Sequence, residues 1–159
     1  MSAIAKAAGT GMGTIYNYFP NKDILINELF VSIKKREKQV YSTFHPDQPV
    51  KTQFEDHFTS IIDFFLANRA YFEFMEQLQA SPIITEESRN IGAEAIGSVY
   101  QLLDKGKRDR IIKNIDTDEL LLFIGGTVLS YLRWYFNQSS TKKSSRENQL
   151  RLVWDAIRE

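Results

Sequence analysis

Gly9-Thr10-Gly11-Met12-Gly13-Thr14-Ile15-Tyr16-Asn17-Tyr18-Phe19-Pro20-Asn21-Lys22 joins two short helical patterns through a glycine-punctuated turn, then crowds aromatics, an amide and a lysine together. Before it, the helical pattern from Ser2 to Ala8 carries Ile4, Ala5 and Ala8 on one side, and Gly9 supplies the stop that a tight turn needs. In the second helix Ile15 and Phe19 stand four apart and face inward, which leaves Thr14 and Asn17 outside. This is helix-turn-helix spacing. An exposed helix bearing a hydroxyl and an amide can bond base edges in a major groove. Tyr16, Tyr18 and Lys22 can reach phosphates, which orient the helix and supply much of the affinity. The competing reading is a helical hairpin whose aromatics cover a core. The aromatic-amide-aromatic run followed by lysine weighs against it.

These residues resemble the TetR-type bacterial transcriptional repressors. The resemblance rests on Ile4-Ala5-Lys6-Ala7-Ala8-Gly9, on Gly13-Thr14-Ile15-Tyr16-Asn17-Tyr18-Phe19 and on Asn21-Lys22-Asp23-Ile24-Leu25. It implies that Thr14 and Asn17 lie near bases, Tyr16 and Tyr18 against the sugar-phosphate backbone, and Lys22 on a phosphate. Thr10 and Met12 then occupy variable positions where the family tunes sequence preference. Members of the family begin with a further helix, preceded by a basic tail, and this chain starts too late to contain it. The inward faces formed by Ile4, Ala8, Ile15, Phe19, Leu25 and Leu29 are therefore expected to have few partners, leaving an incomplete reading unit with a thin core. The expectation is that Met1 is an internal or misassigned start, or marks a clipped form.

Outward from this stretch, the 159 residues divide into a small reading head with its linking helix, residues 1–40, and a larger helical body, residues 41–159. Formal charge sums to zero, yet residues 1–40 hold six Lys or Arg against three Asp or Glu. The excess agrees with DNA as partner, although Lys34, Lys35, Arg36 and Lys38 can equally solvate the exposed face of a long helix. Cysteine is absent, which removes disulfides and thiolate metal sites. His45 and His57 have no partner at metal-ligand or nucleophile spacing, so neither a metal, a cofactor nor an enzyme is expected. Leu120 to Phe136, the most apolar segment, is interrupted by Gly125, Gly126, Thr127, Ser130 and Arg133, short of the roughly 18 uninterrupted apolar residues of a membrane span. With no signal peptide either, no membrane partner and a cytoplasmic location are expected.

The remainder reads as helix nearly throughout, giving an all-α fold: an incomplete helix-turn-helix DNA-binding domain followed by a helical ligand-binding and dimerisation domain. A long helix runs from the cap Asn21, with Asp23 in its first turn, to about Ser42. His45-Pro46-Asp47-Gln48-Pro49 breaks the chain, and Phe54, Phe58, Ile61, Ile62 and Phe65 then form one helical stripe. Past Asn68 a helix uses Tyr71, Phe72, Met75 and Leu78 and ends at Ser81-Pro82. The next begins near Thr85, turns Ile91, Ala95, Val99, Leu102 and Leu103 inward and stops near Gly106. Ile111 to Ile115 is irregular or briefly extended. Asp116 and Glu119 stand at capping-box spacing before a helix over 117–137 that is apolar nearly all round. Ser144 and Glu147 repeat the spacing before a last helix with Leu150, Val153, Trp154 and Ile157 on one stripe.

A helix apolar all round needs cover on more than one side, and the last two helices therefore predict a homodimer. The resemblance implies the same, a four-helix bundle made by these helices from two subunits. Gly125, Leu129, Leu150, Val153, Trp154 and Ile157 are the candidate interface. The alternative is that the final helix folds back onto its own subunit. The resemblance also implies a pocket in the body for a small apolar or aromatic effector, with Phe58, Phe65, Phe72, Met75, Tyr100, Phe123, Thr127 and Tyr131 as candidate lining. For each of these, ordinary core packing competes. The function expected is a repressor that binds double-stranded operator DNA as a homodimer and is released by a small-molecule effector. The contrasting expectation is a dimeric small-molecule or protein-binding helical module without DNA-binding activity.

Overall fold

A computed structural model describes residues 1–41, 43–78, 81–138 and 146–159. Nine α-helices and no strand lie among the described residues: α1 (Ser2–Ala7), α2 (Met12–Tyr18), α3 (Lys22–Val40), α4 (Val50–Ala67), α5 (Arg69–Leu78), α6 (Glu86–Glu94), α7 (Gly97–Arg108), α8 (Thr117–Asn137) and α9 (Arg146–Ile157).

Each early boundary has a local cause. α1 ends with Gly9 at φ +64, where the amide of Gly9 bonds to Lys6 O and that of Thr10 to Ala5 O, the paired reverse bonds of a glycine-closed helix. α2 ends at Phe19, extended ahead of Pro20. The Asn21 side chain accepts from Ile24 N at 2.9 Å, and Asp23 occupies the first turn of α3. α3 ends at Val40; Ser42, expected near its end, lies outside the described residues, as does Ser144 ahead of α9. Gln53, buried on α4, holds the connection before it by bonding both His45 backbone groups and Gln48 O.

The body is built around α4, which packs against α3, α5, α7, α8 and α9. Its stripe of Phe54, Phe58, Ile61, Ile62 and Phe65 is buried, and His57 shares that face. Phe72 of α5 meets Phe65 and Phe136, and Trp154 of α9 meets Phe54 at 5.4 Å between ring centroids. Salt bridges Arg133–Glu76 and Arg146–Asp63 tie α8 to α5 and α9 to α4 at the surface. Ile112 pairs with Arg158, and Lys113 N and Glu159 N bond to Ile157 O and Ile111 O, so 111–113 is briefly extended along the chain's last residues.

Three expectations need correcting. The helix expected from Thr85 to Gly106 is two helices, broken at Ala95 and Ile96. α6 packs on α3, with Gly92 against Phe30 and Lys34, whereas α7 packs on α4 and α8. One straight helix cannot meet both surfaces. In the head, only Ala5 and Ile15 are buried; Phe19 and Leu25 are half-buried, and Ile4, Ala8 and Leu29 are exposed. The stripe of the last helix folds back: Val153, Trp154 and Ile157 are buried in their own subunit's core and Leu150 is half-buried against it. α9 has no other route to burying that face once it lies on α4 and α8.

Candidate functional site

The candidate reading element is α2 and its flanks. Met12, Thr14, Tyr16, Asn17 and Tyr18 are exposed, Tyr18 by 75 %, while Ile15 is turned into the head. Lys22 is exposed at the first position of α3, and Thr10 is half-buried in the turn. α2 carries no charged residue, so no carboxylate on it repels a phosphate backbone. Its N-cap is Gly11, with no side-chain cap bond. The seven candidates thus set hydroxyl, amide, phenol and ammonium groups at solvent within about three turns of chain, with Thr14, Asn17 and Tyr18 together on one side of α2 and Met12 and Tyr16 on another.

The body holds a cavity of about 330 Å³ between α3, α4, α7 and α8. That is at the small end of the roughly 300–1,000 Å³ usual for ligand sites. Of the expected lining, Phe58, Phe65 and Met75 are on its wall, joined by Phe54, Ile61, Val99, Ile124 and Val128. The other five lie elsewhere. Phe72 is buried between Phe65 and Phe136. The Tyr100 hydroxyl donates to Asp118 at the surface, and Thr127 donates to Phe123 O on its own helix. Phe123, Thr127 and Tyr131 line a different groove, on the outer side of α8.

One end of the cavity is polar. Lys34, Glu37 and Tyr41 reach it from α3 and His57 from α4. Lys34 Nζ donates to Glu37 Oε2 at 2.7 Å, and the Tyr41 and His57 rings meet edge to face at 5.6 Å. Burial pushes the Glu37 carboxyl above its usual range, against the opposing pull of Lys34. Burial, then the Glu37 charge, pushes the Tyr41 hydroxyl far above its ordinary value. Sequence reasoning missed this end by reading Lys34, Lys35, Arg36 and Lys38 as a solvated face and passing over Glu37 among them. The signal was there: Phe30, Ile33, Glu37 and Tyr41 share one stripe of α3, as Phe54, His57, Phe58 and Ile61 share one of α4.

α3 connects the two regions. It leaves the reading element at Lys22 and reaches the cavity at Glu37, about 22 Å along its axis. Midway, Asn27 clasps the segment ahead of α6: Nδ2 donates to Ile83 O and Oδ1 accepts from Thr85 N, each at 2.9 Å.

The outer groove is lined by Leu122, Phe123, Gly126, Thr127, Ser130, Tyr131 and Trp134 of α8 and by Gln149 of α9. Leu122 is 78 % exposed, and Phe123, Trp134 and Leu152 are exposed as well. Leu122, Gly126, Ser130 and Trp134 repeat every four residues, a narrow stripe on a helix whose opposite side is core. Leu122 and Gly126 also belong to the cavity wall. Gly125 and Leu129, expected at an interface, line the cavity.

Two sets of comparisons bear on this arrangement. The profile of the tetR family of bacterial regulatory proteins matches residues 1–29, and that of the tetracyclin repressor-like C-terminal domain matches residues 29–159. The chain is 30 % identical over 106 residues to the uncharacterized HTH-type transcriptional regulator YhgD of Bacillus subtilis (strain 168), a match covering 66 % of this chain and half the length of that relative. A TetR family transcription regulator from Marinobacter aquaeolei VT8 has the same fold, with a TM-score of 0.85 at 20 % identity over 98 % of this chain and 83 % of that one. So does a bacterial regulatory protein in the tetR family from Rhodococcus RHA1, at 0.77 and 16 % identity over 98 % and 84 %.

Proposed function

The chain belongs to the TetR family of bacterial regulatory proteins, and from that premise we propose that it is a dimeric transcriptional repressor, released from double-stranded operator DNA by a small apolar effector. The observation that carries the reading is α3, one uninterrupted helix from the reading element to the cavity. An effector in the cavity touches Lys34, Glu37 and Tyr41 and so bears directly on the helix that orients α2. DNA selects the conformation in which two reading helices sit about 34 Å apart, and the effector selects another. The regulator works in the cytoplasm, and among the described residues no helix is long and apolar enough to cross a membrane.

The second copy belongs on the outer stripe of α8. Val153, Trp154 and Ile157 serve their own subunit, whereas Leu122, Phe123, Gly126, Trp134 and Leu152 expose apolar surface on the last two helices. An added Cβ at Gly125 or Gly126 meets nothing within 4 Å, so the packing within the subunit does not itself call for glycine there. Small residues on such a stripe let another helix approach closely.

Anisotropy titrations of the 159-residue chain with DNA fragments flanking the gene, at several salt concentrations, test this. Selective binding that weakens steeply with salt is expected. Asn17→Ala should relax sequence preference, at a cost of about 1–3 kcal/mol on its best site. Lys22→Ala should weaken all sequences alike and flatten the salt dependence. If it binds no fragment selectively at any salt, the chain is a dimeric ligand- or protein-binding module instead.

A further inference from the structure

Glu37 occupies the buried stripe of α3 with 3 % of its side chain exposed, and its two oxygens have different fates. Oε2 accepts from Lys34 Nζ, whereas Oε1, equally buried, has no hydrogen-bond partner among the described residues. Buried carboxylate oxygens without donors are rare because the oxygen forfeits its hydration and receives nothing in return. Glu37 itself stands on the wall of a cavity whose other lining is largely phenylalanine and aliphatic.

We propose that the cavity selects its effector by head group, taking a small apolar body that carries one hydrogen-bond donor, a hydroxyl or an amine, for Glu37 Oε1, and rejecting carboxylates. The inference rests on the cavity being the effector site. The phenyl rings of Phe54, Phe58 and Phe65 suit a flat or short-chain body. A donor head supplies the bond that Oε1 lacks, and a bond to an ionised oxygen is stronger than one between neutral groups. An apolar head leaves that bond unmade. A carboxylate head sets a second negative charge beside Glu37 in a medium of low dielectric. Lys34 does not turn the site toward anions, because its single positive charge is balanced by Glu37 and the pair as a whole offers a carboxylate no net attraction. Because Lys34 and Glu37 both stand on α3, a donor captured by Oε1 acts on the helix that carries the reading element.

The test is isothermal titration of the 159-residue chain with one apolar body and varied heads: phenylbutylamine, phenylbutanol, phenylbutyrate and butylbenzene. The amine and the alcohol should bind, with phenylbutyrate and butylbenzene at least about tenfold weaker. Whichever of the first two is tighter identifies the head as cationic or neutral. Glu37→Gln can keep its carbonyl on Lys34 and turn its amide toward the cavity, so it should erase or reverse the preference against phenylbutyrate. Binding of phenylbutyrate as tight as that of the alcohol in the wild type overturns the head-group assignment, whatever the variant does. An unchanged order in a folded Glu37→Gln overturns it too. Should none of the ligands bind a chain whose circular dichroism is native, the cavity reading itself fails and takes this inference with it.

Discussion

Glu37 is pulled in two directions, and the pH dependence of stability follows from which pull is larger. Burial dominates and raises the carboxyl above its ordinary value of 4.5, with Lys34 opposing. The folded chain therefore holds this proton more tightly than the unfolded chain does. Its contribution to stability is complete below the unfolded value and is lost as pH rises through the folded one. Glu37→Gln cannot titrate, so its stability in urea should gain on the wild type as pH rises from acid to neutrality. A difference that stays constant with pH would contradict the assignment. Asn27 acts through geometry rather than charge, bonding at once to Ile83 O and Thr85 N. Asn27→Ala leaves both backbone groups unmatched and should cost about 1–3 kcal/mol in thermal or chemical denaturation. It should also weaken the response of DNA binding to effector, since α3 then slides on α6 without that clasp. The two differ in legibility: Glu37 sits in a basic run, yet on the same stripe as Phe30, Ile33 and Tyr41, whereas an amide on a helix gives no hint of a partner 56 positions away.

At the scale of elements, two helical glycines make opposite predictions. A Cβ at Gly106 of α7 would stand 2.5 Å from Ile112 Cδ1, because the extended segment 111–113 crosses directly over the helix. Gly106→Ala should therefore destabilise by about 1–3 kcal/mol in spite of its better helix propensity. A Cβ at Gly126 of α8 meets nothing, so Gly126→Ala should stabilise the isolated subunit by up to about 1 kcal/mol and loosen its association with a second copy. Melting at low concentration and sedimentation at high concentration separate the two effects. Boundaries with local chemistry were legible in the sequence: Gly9 closing α1, Asn21 opening α3, Asp116 accepting from Asp118 N and Glu119 N to open α8. The break between α6 and α7 was not, because it answers to the surfaces of α3, α4 and α8 rather than to any residue at the break. Periodicity likewise found the stripe of α9. What covers that stripe is a tertiary matter, and within this chain Trp154 packs on Phe54.

On the scale of the whole molecule, the body has one face of α8 in the core and the other turned outward with Leu122, Phe123 and Trp134 on it. Leu122→Asp puts a charge on the most exposed of these without touching the buried stripe, and should shift sedimentation equilibrium toward the monomer while leaving helicity unchanged. The head is lighter. Ala5 and Ile15 make most of its interior, so 1–20 should exchange its amides faster than α4 does. Leu122 and Gly126 have a double membership, forming part of the outer stripe and part of the cavity wall. A second copy seated on the stripe would therefore roof the cavity, and occupancy of one would alter the free energy of the other. A dose-response curve for effector should then slide along the concentration axis when the protein is diluted, so that the sensor reports its own copy number along with its ligand.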